Sequence, residues 1–463
     1  MAVDRKIRIA VVGGGPGGVI AALALSKSPN VEIDLYEAAT AFGDIGLSLG
    51  MPWRPWRILR LLGLQGYLAA LLPPDQIPKE DVTVPTIHYR KSDQAVGEDI
   101  FTCTSLSGYT RFRRSHFHAA LLPHLPSNCK TYTSKRLVSY AEPSNASDPI
   151  VITFADGTTA ECDVLVGADG IKSPTRASMY NYAADEAEKA GRSAEANDLR
   201  SKIRAKFSGV EVYRSVISAE QLRAAAPDHH AFRCPTQFLG KEKVRMPTYP
   251  IQSENSQFLN CALYICDYSR EGEDYPEPWV TDVEAKDLRS SLPDWEPEAQ
   301  AAVSCMGEVV SRWAICTLSP LPFFQRSRVV LLGDAAVRVT TPFSTFSSDH
   351  CQTLACYDEL PRCRLRPGDD AYILSEILTH PAVTRDNVQK ALEIYSEVRV
   401  PMSTHVLESS RRTGMDCALH DEVAAADLKS LGERMQQEMV WAWEWNPEDE
   451  KKKALDLVEE RLV

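Results

Sequence analysis

Apolar and polar positions along this chain change period in an ordered way. Ile7 to Gly13 is a short β-branched run that ends in glycines. Val19 to Ser26 is apolar and rich in Ala and Leu, which predicts a buried helix. Val31 to Tyr36 predicts a second strand, with Glu37 at its end. Strand, helix and strand together predict a βαβ unit. Helices are predicted over Ile58 to Leu72 and Phe117 to Leu125. Val151 to Phe154 and Glu161 to Val166 read as two strands around an Asp156-Gly157 turn, a hairpin signal. Tyr180 to Lys206, rich in Ala, Glu, Lys and Arg, reads as a solvated surface helix. Between Val210 and Trp313 strand-like stretches such as Gln237 to Leu239 and Leu259 to Cys266 alternate with turns, as in a separate sheet-rich domain. Val329 to Leu332 is a last buried strand, and Tyr372 to Leu378 and Val388 to Val398 predict helices. From Asp427 onward a helical extension is expected to pack Trp441, Trp443 and Trp445 on the body.

Composition narrows the classes. The 463 residues allow two or three domains and a sizeable core, at 44% hydrophobic and 25% charged residues. A net charge of -12 argues against a nucleic-acid binder while leaving room for a local basic pocket. The twelve cysteines are scattered, which reads as reduced thiols in a cytoplasmic protein. No signal-peptide pattern and no apolar run of membrane-spanning length are expected.

The first chemistry lies in Gly13-Gly14-Gly15-Pro16-Gly17-Gly18. Gly13, Gly15 and Gly18 have the spacing G-x-G-x-x-G between a predicted strand and a predicted helix. The first glycine permits the tight turn, the second lets a pyrophosphate approach the backbone, and the third allows close packing of helix on strand. The helix N-terminus then offers free N–H groups to phosphates. Glu37 is placed to accept hydrogen bonds from ribose hydroxyls. The pattern predicts a dinucleotide and does not separate FAD from NAD.

Two downstream segments do. Asp163 to Arg176 contains Gly167-Ala168-Asp169-Gly170, and Val329 to Ala336 contains Gly333-Asp334-Ala335-Ala336. They resemble the Asp-Gly and Gly-Asp segments of FAD-dependent aromatic hydroxylases of the salicylate-hydroxylase type. Arg113-Arg114-Ser115-His116-Phe117, Thr248-Tyr249-Pro250, Trp313 with Pro320-Leu321-Pro322, and Tyr395 to Gly414 extend the resemblance over most of the chain. The chain looks most like the fungal branch that hydroxylates, and often dearomatises, polyketide-derived phenols.

The resemblance implies an α/β fold: a Rossmann-type FAD-binding domain over residues 1–75, 100–180 and 325–420, an inserted sheet-rich substrate domain over 76–99 and 205–324, and a helical C-terminal extension over 421–463. It implies that Gly13, Gly15, Gly18, Glu37, Arg114, Asp169, Gly170, Gly333, Asp334 and Ala335 bind FAD, with NADPH or NADH as a transient co-substrate. Arg214 and Tyr249 match the Arg and Tyr that hold the phenolate in that branch. Arg214, a permanent cation, would lower the pKa of a nearby phenol, and Tyr249 could donate to the same oxygen. The implied partners are a small phenolic substrate and dioxygen, with no nucleic acid, no membrane span and a monomeric or homodimeric state. No metal is implied.

The resemblance breaks after Ala336. The family has a His, a Pro and a glycine-rich loop there; this chain has Val337, Pro342, and no glycine from Val337 to Pro367. Either the reading of the gene is altered here or the protein has diverged. Residues 343–367 are expected to form an irregular, exposed excursion. The alternative to a hydroxylase is therefore a non-catalytic or uncoupled flavin-fold protein. A smaller departure is Pro52-Trp53-Arg54-Pro55, where the family normally has an Asn after the Pro.

Overall fold

The computed structural model describes residues 6–43, 48–107, 109–143, 145, 148–240, 244–251, 257–290, 292–337, 366–421 and 426–463. Two large sheets dominate it. The first has six strands in the order Gln325–Arg326, Val329–Leu331, Val164–Gly167, Ile7–Val12, Val31–Tyr36 and Cys129–Tyr132. The last five of these run parallel. Parallel strands need cover on both faces, which the sequence supplies as near-continuous apolar runs. Val164, Leu165, Val166, Val329, Val330 and Leu331 are fully buried. Helices Pro16–Leu25 and Arg366–Leu378 and the first part of Val388–Cys417, to Val398, bury apolar residues in the same core.

Register aligns the ends of these strands. Val12 is opposite Tyr36 on one side and Gly167 on the other, and Gly167 is opposite Leu331. Chain order runs outward from Ile7–Val12 in both directions, so the sheet has its topological switch point beside that strand. The loops that leave the C-terminal ends of these strands therefore meet at one edge.

The stretch Glu161 to Val166, expected as one strand, is not one. It divides at Asp163 into Thr159–Cys162, antiparallel to Ile150–Phe154, and Val164–Gly167 of the parallel sheet. Asp163 accepts from the Arg8 backbone N–H at 3.0 Å, from Arg8 Nη2 at 3.1 Å and from Arg385 Nε at 3.1 Å. Burial pushes this carboxyl up, but the bonds and charge of Arg8, with Arg385, outweigh burial and hold it below the usual range. Tyr180 to Lys206 also differs from expectation. It forms helices Pro174–Lys189 and Ser193–Ser201, and the first is half buried: Tyr180 is 0% exposed and stacks on Phe323 at 4.7 Å.

The second sheet has eight strands in the order Val280–Glu284, Val309–Thr317, Lys206–Ser218, Phe258–Cys266, Val244–Pro250, Thr236–Gly240, Thr83–Lys91 and Glu98–Leu106. Chain beyond residue 99 thus joins it. One face packs Phe238, Met246, Leu259 and Leu263 against helices Ala219–Ala225 and Pro297–Ser304. On the other, Tyr89 and Leu239 pack under Leu431, Met435 and Met439 of helix Leu428–Glu444, and Val212 and Tyr264 pack against Ala418.

His229 sits in the first of these interfaces, edge-on to Phe238 at 5.3 Å. Burial pulls it down to about 4, against the opposing pull of Glu298. An unfolded His titrates near 6.5, so between the two values the unfolded chain binds the extra proton. Stability is complete above the unfolded value and falls as pH drops toward the folded one, by on the order of 2–3 kcal/mol from this group. Urea unfolding across that window should show the loss, and His229→Gln should flatten it; an unchanged slope would refute the assignment.

The C-terminal helices Leu428–Glu444 and Pro447–Leu462 close the chain. Of the three tryptophans expected to pack on the body, Trp445 is 37% exposed with its ring 6.3 Å from that of His405, and the side chains of Trp441 and Trp443 lie outside the described residues. Pro447–Leu462 is anchored by Ala454 and Val458, both 0% exposed in the main core, and by charge. Glu450 accepts from Arg399 Nη1 at 2.7 Å and from Arg54 Nη2 at 3.0 Å, and all three are buried. No helix among the described residues is long and apolar enough to cross a membrane.

Candidate functional site

Glycine sterics build the first wall. Gly13 has φ 108°, and a Cβ there would lie 2.2 Å from the Ala168 carbonyl oxygen. A Cβ on Gly18 would lie 1.8 Å from the Gly13 carbonyl oxygen. The loop is thus pressed between its own strand and the Asp-Gly segment. Gly15 caps helix Pro16–Leu25 with no side-chain hydrogen bond, so the first-turn N–H groups face outward. Glu37 spans the loop: Oε2 accepts from Gly14 N–H at 2.7 Å and Oε1 from Ala39 N–H at 2.8 Å. His118, buried and lining the same cavity, lies with Nε2 3.0 Å from the Gly14 carbonyl and steadies the loop.

The second wall follows Val164–Gly167. Asp169 Oδ2 accepts from the Thr175 N–H at 3.0 Å and its hydroxyl at 2.7 Å, and Gly170 turns the chain at φ 78°. Burial pushes the Asp169 carboxyl up, against hydrogen bonds from Ser173 and Thr175 and the charge of Arg176. Gly333, with φ 63°, turns the chain after Val329–Leu331, and its N–H donates to Asp370 Oδ2 at 2.9 Å. Asp334 and Ala335 follow.

Arg176 ties these two segments together. Its guanidinium donates to the carbonyl oxygens of Ile171, Ile203 and Ala335, the last at 2.8 Å. Burial pulls this Arg down to about 10 although Asp169, Tyr180 and Asp334 oppose it. The cation is held inside the protein by backbone carbonyls, a structural use of a residue that the sequence showed only as the end of a motif.

A cavity of about 560 Å³ opens along this edge, lined by Gly13, Gly14, Gly15, Glu37, Asp169 and Gly170. Gly18, Gly333, Asp334 and Ala335 stand behind or beside it and are not lining residues. Arg114 opens helix Arg114–Leu121, and its side chain lies outside the described residues. Lining residues that sequence reasoning missed are Lys135, Arg136, Lys172 and Trp279. Lys172 Nζ lies 4.6 Å from the Trp279 ring and 2.7 Å from Glu277. Lys135 and Arg136 follow strand Cys129–Tyr132, whose mostly exposed residues gave no apolar signal.

This cradle suits a dinucleotide. Backbone N–H groups of the first helical turn are available to phosphates, a carboxylate stands at the end of the second strand, and Cβ-free backbone allows close approach. Lys135, Arg136 and Lys172 line the same cavity, Lys135 paired with Asp156 and Lys172 with Glu277. Residues Gly13 to Gly18 and Glu37 would hold the adenosine and pyrophosphate, with Asp169 and Asp334 beyond them.

Arg214 and Tyr249 lie on the eight-stranded sheet. Arg214 is opposite Ala262 and Tyr249 opposite Asn260, and Ala262 and Asn260 share a face of their strand. The two side chains therefore project from the same face. Both are buried, and the Arg214 guanidinium carbon lies 5.0 Å from the Trp313 ring centre.

The expectation for residues 343–367 falls almost wholly outside the described residues. The helix expected near Asp370 begins at Arg366. One metal-ligand grouping, His88, Asp99 and His230, occurs among the described residues. Asp99 there is hydrogen-bonded to both His88 and the Arg90 guanidinium, whose positive charge opposes a metal cation.

A family model described as FAD binding domain matches residues 6–344. A salicylate hydroxylase of Pseudomonas putida is 29% identical over 450 residues, covering 94% of this chain and 92% of that protein. A 6-methylsalicylate 1-monooxygenase of Aspergillus terreus is 23% identical over 463 residues, covering 99% and 93%. Among solved structures, a salicylate hydroxylase substrate complex superposes with a TM-score of 0.78 at 23% identity, covering 97% of this chain and 98% of that one.

Proposed function

This chain belongs to the FAD binding domain family and is an FAD-dependent monooxygenase, and from that premise we propose that it hydroxylates a small phenolic ring derived from a polyketide. The six-stranded sheet serves as its cofactor side and the eight-stranded sheet as its substrate side. One observation carries the reading: a buried arginine and a buried tyrosine, Arg214 and Tyr249, share one sheet face.

When bound, FAD, reduced by NADPH or NADH and meeting dioxygen, supplies the oxygen atom that the ring receives. The chain's own groups prepare the ring. Arg214 stabilises the phenolate, whose extra electron density makes the ring carbon a better nucleophile. Tyr249 donates to the same oxygen and fixes the ring's orientation. Val212 and Ala262, buried beside Arg214, keep water away. Where the attacked carbon bears a substituent, the ring loses its aromaticity, as in the dearomatising branch. The salicylate hydroxylase and the 6-methylsalicylate monooxygenase act on hydroxylated benzoates by their names, which agrees with a phenol held beside an arginine.

The test is phenol-stimulated NADPH or NADH oxidation by purified holoenzyme, with oxygen uptake and hydroxylated product measured together. Oxidation that yields hydrogen peroxide with every phenol tried would overturn the reading. Arg214→Gln should raise the pH at which turnover peaks, because a phenol without its neighbouring cation ionises at higher pH. An unchanged pH profile and an unchanged KM would remove Arg214 from this role.

A further inference from the structure

The Gly-Asp turn of the cofactor site is fastened to the last helix of the chain. Gly333 N–H donates to Asp370 Oδ2 at 2.9 Å. Asp370 Oδ1 accepts from Arg399 Nε at 2.8 Å, and Arg399 Nη1 donates to Glu450 Oε1 at 2.7 Å. The other oxygen of Glu450 accepts from Arg54 Nη2 at 3.0 Å, and Arg54 Nε donates to Asp369 Oδ1 at 2.8 Å. Arg54, Asp369, Asp370, Arg399 and Glu450 are all buried. They come from four helices, Trp53–Leu61, Arg366–Leu378, Val388–Cys417 and Pro447–Leu462.

A buried charge network is a poor source of stability, because apolar groups of similar volume hold helices together at least as well. Ala454 and Val458 already pack the last helix into the core. What the charges add is direction, since a charge-assisted hydrogen bond fixes the position of its partner. Here the line of bonds ends on a backbone N–H. That N–H belongs to Gly333, which turns the chain at φ 63° directly before Asp334.

Glu450 stands at the middle of the network, with one oxygen for each arginine. Arg54 lies in Pro52-Trp53-Arg54-Pro55, the segment that departs from the family pattern. Its helix follows strand Ser48–Pro52, which pairs with Tyr109–Arg113, the strand that ends one residue before Arg114. One carboxylate on the C-terminal helix thus joins two segments of the cofactor side that lie hundreds of residues apart.

We propose that Glu450 is a positioning residue for FAD: through Arg399 and Asp370 it fixes the Gly333 turn that presents Asp334 to the cofactor. Glu450 does not line the cavity and acts only through its partners. Without its carboxylate, two buried guanidiniums face each other with no anion between them. They repel, and Arg399 shifts. Asp370 shifts with it, because one of its oxygens is bonded to Arg399 and the other to Gly333. The inference is independent of which ring the enzyme oxidises.

The experiment compares two changes on the same helix. Glu450→Gln keeps the shape, but an amide accepts from one arginine and turns its own N–H groups on the other. Val458→Ala removes packing and leaves the network intact. FAD dissociation constants come from titration of apoprotein by flavin fluorescence. Hydrogen exchange of the peptide 329–337 in apoprotein reports the Gly333 N–H directly. Glu450→Gln should weaken FAD roughly tenfold, the lower end of what losing a supporting partner of a direct ligand costs. It should also speed exchange in that peptide several-fold. Val458→Ala should lower the melting temperature, yet keep FAD affinity within about twofold and exchange unchanged. Glu450→Asp, which keeps the charge, should recover most of the affinity. Asp370→Asn cannot accept from both Gly333 and Arg399, so it should show the same two changes and serves if Glu450→Gln folds poorly. If FAD affinity falls in proportion to melting temperature in both helix variants, Glu450 only packs the helix and the proposal is overturned. Tight FAD binding with slow exchange in Glu450→Gln would overturn it as well.

Discussion

Gly18→Ala should yield protein that carries almost no FAD. The added Cβ would sit 1.8 Å from the Gly13 carbonyl oxygen, a backbone atom that no rotamer change can move. Gly13 has nowhere to retreat. Its N–H donates to the Tyr36 carbonyl at 2.8 Å, and its own Cα faces the Ala168 carbonyl. Helix Pro16–Leu25 must therefore lift from strand Ile7–Val12, although its residues from Gly17 to Leu25 are all buried. Overpacking a close-packed core ordinarily costs about 1–3 kcal/mol, and a backbone-to-backbone clash belongs at or above the upper end. The lift also displaces the first-turn N–H groups from the phosphate position, so cofactor affinity falls with stability. Flavin absorbance per mole of purified protein is the readout. A variant that stays fully loaded would show that the loop does not hold the pyrophosphate.

Arg399→Met should cost about 3–5 kcal/mol of stability, the usual penalty for breaking a buried ion pair from one side. Arg399 is 0% exposed, with Nε 2.8 Å from Asp370 Oδ1 and Nη1 2.7 Å from Glu450 Oε1. Burial works against its charge, but Glu450, Asp370 and Asp369 outweigh burial and hold the proton more firmly than usual. Without Arg399, Asp369 and Glu450 keep only Arg54, and Asp370 loses the guanidinium it was bonded to. Asp369 is already pushed up by burial, with Arg54 and Arg399 restraining it. Losing Arg399 pushes it further, so the folded variant takes up a proton that the unfolded chain releases. The sign follows: the variant's deficit should be smaller in mildly acid than in alkaline buffer. Arg399→Met combined with Glu450→Gln should recover part of the loss, because one orphaned charge is gone. The damage should reach the cofactor side too, since Asp370 also accepts the Gly333 N–H. Urea unfolding of the single and double variants checks the claim; equal stability of wild type and Arg399→Met would refute it.

The phosphate loop was legible in the sequence because its causes are local. A glycine at a positive φ, or a glycine under a carbonyl, is required by contacts within a few residues of a strand and a helix whose apolar runs announce themselves. Glu37, the Asp-Gly and Gly-Asp turns and the buried strands before them are of this kind. They determined the α/β class and the order in which the cofactor segments occur along the chain.

Long-range pairing decided the rest. Asp163 interrupts the run Glu161 to Val166, but that it divides two strands depends on its partners Arg8 and Arg385, far away in sequence. Arg176 reads only as the end of the Asp-Gly segment until the backbone carbonyls of Ile203 and Ala335 converge on it. Arg214 and Tyr249 lie on different strands, and only register sets them on one face. Strand periodicity tells which residues alternate but not which strands are neighbours. The sequence by itself therefore determined the cofactor loop and its flanking elements, where sterics act within a few residues. The tertiary structure alone decided which buried charges meet and which polar groups share a face, since those depend on contacts between segments hundreds of residues apart.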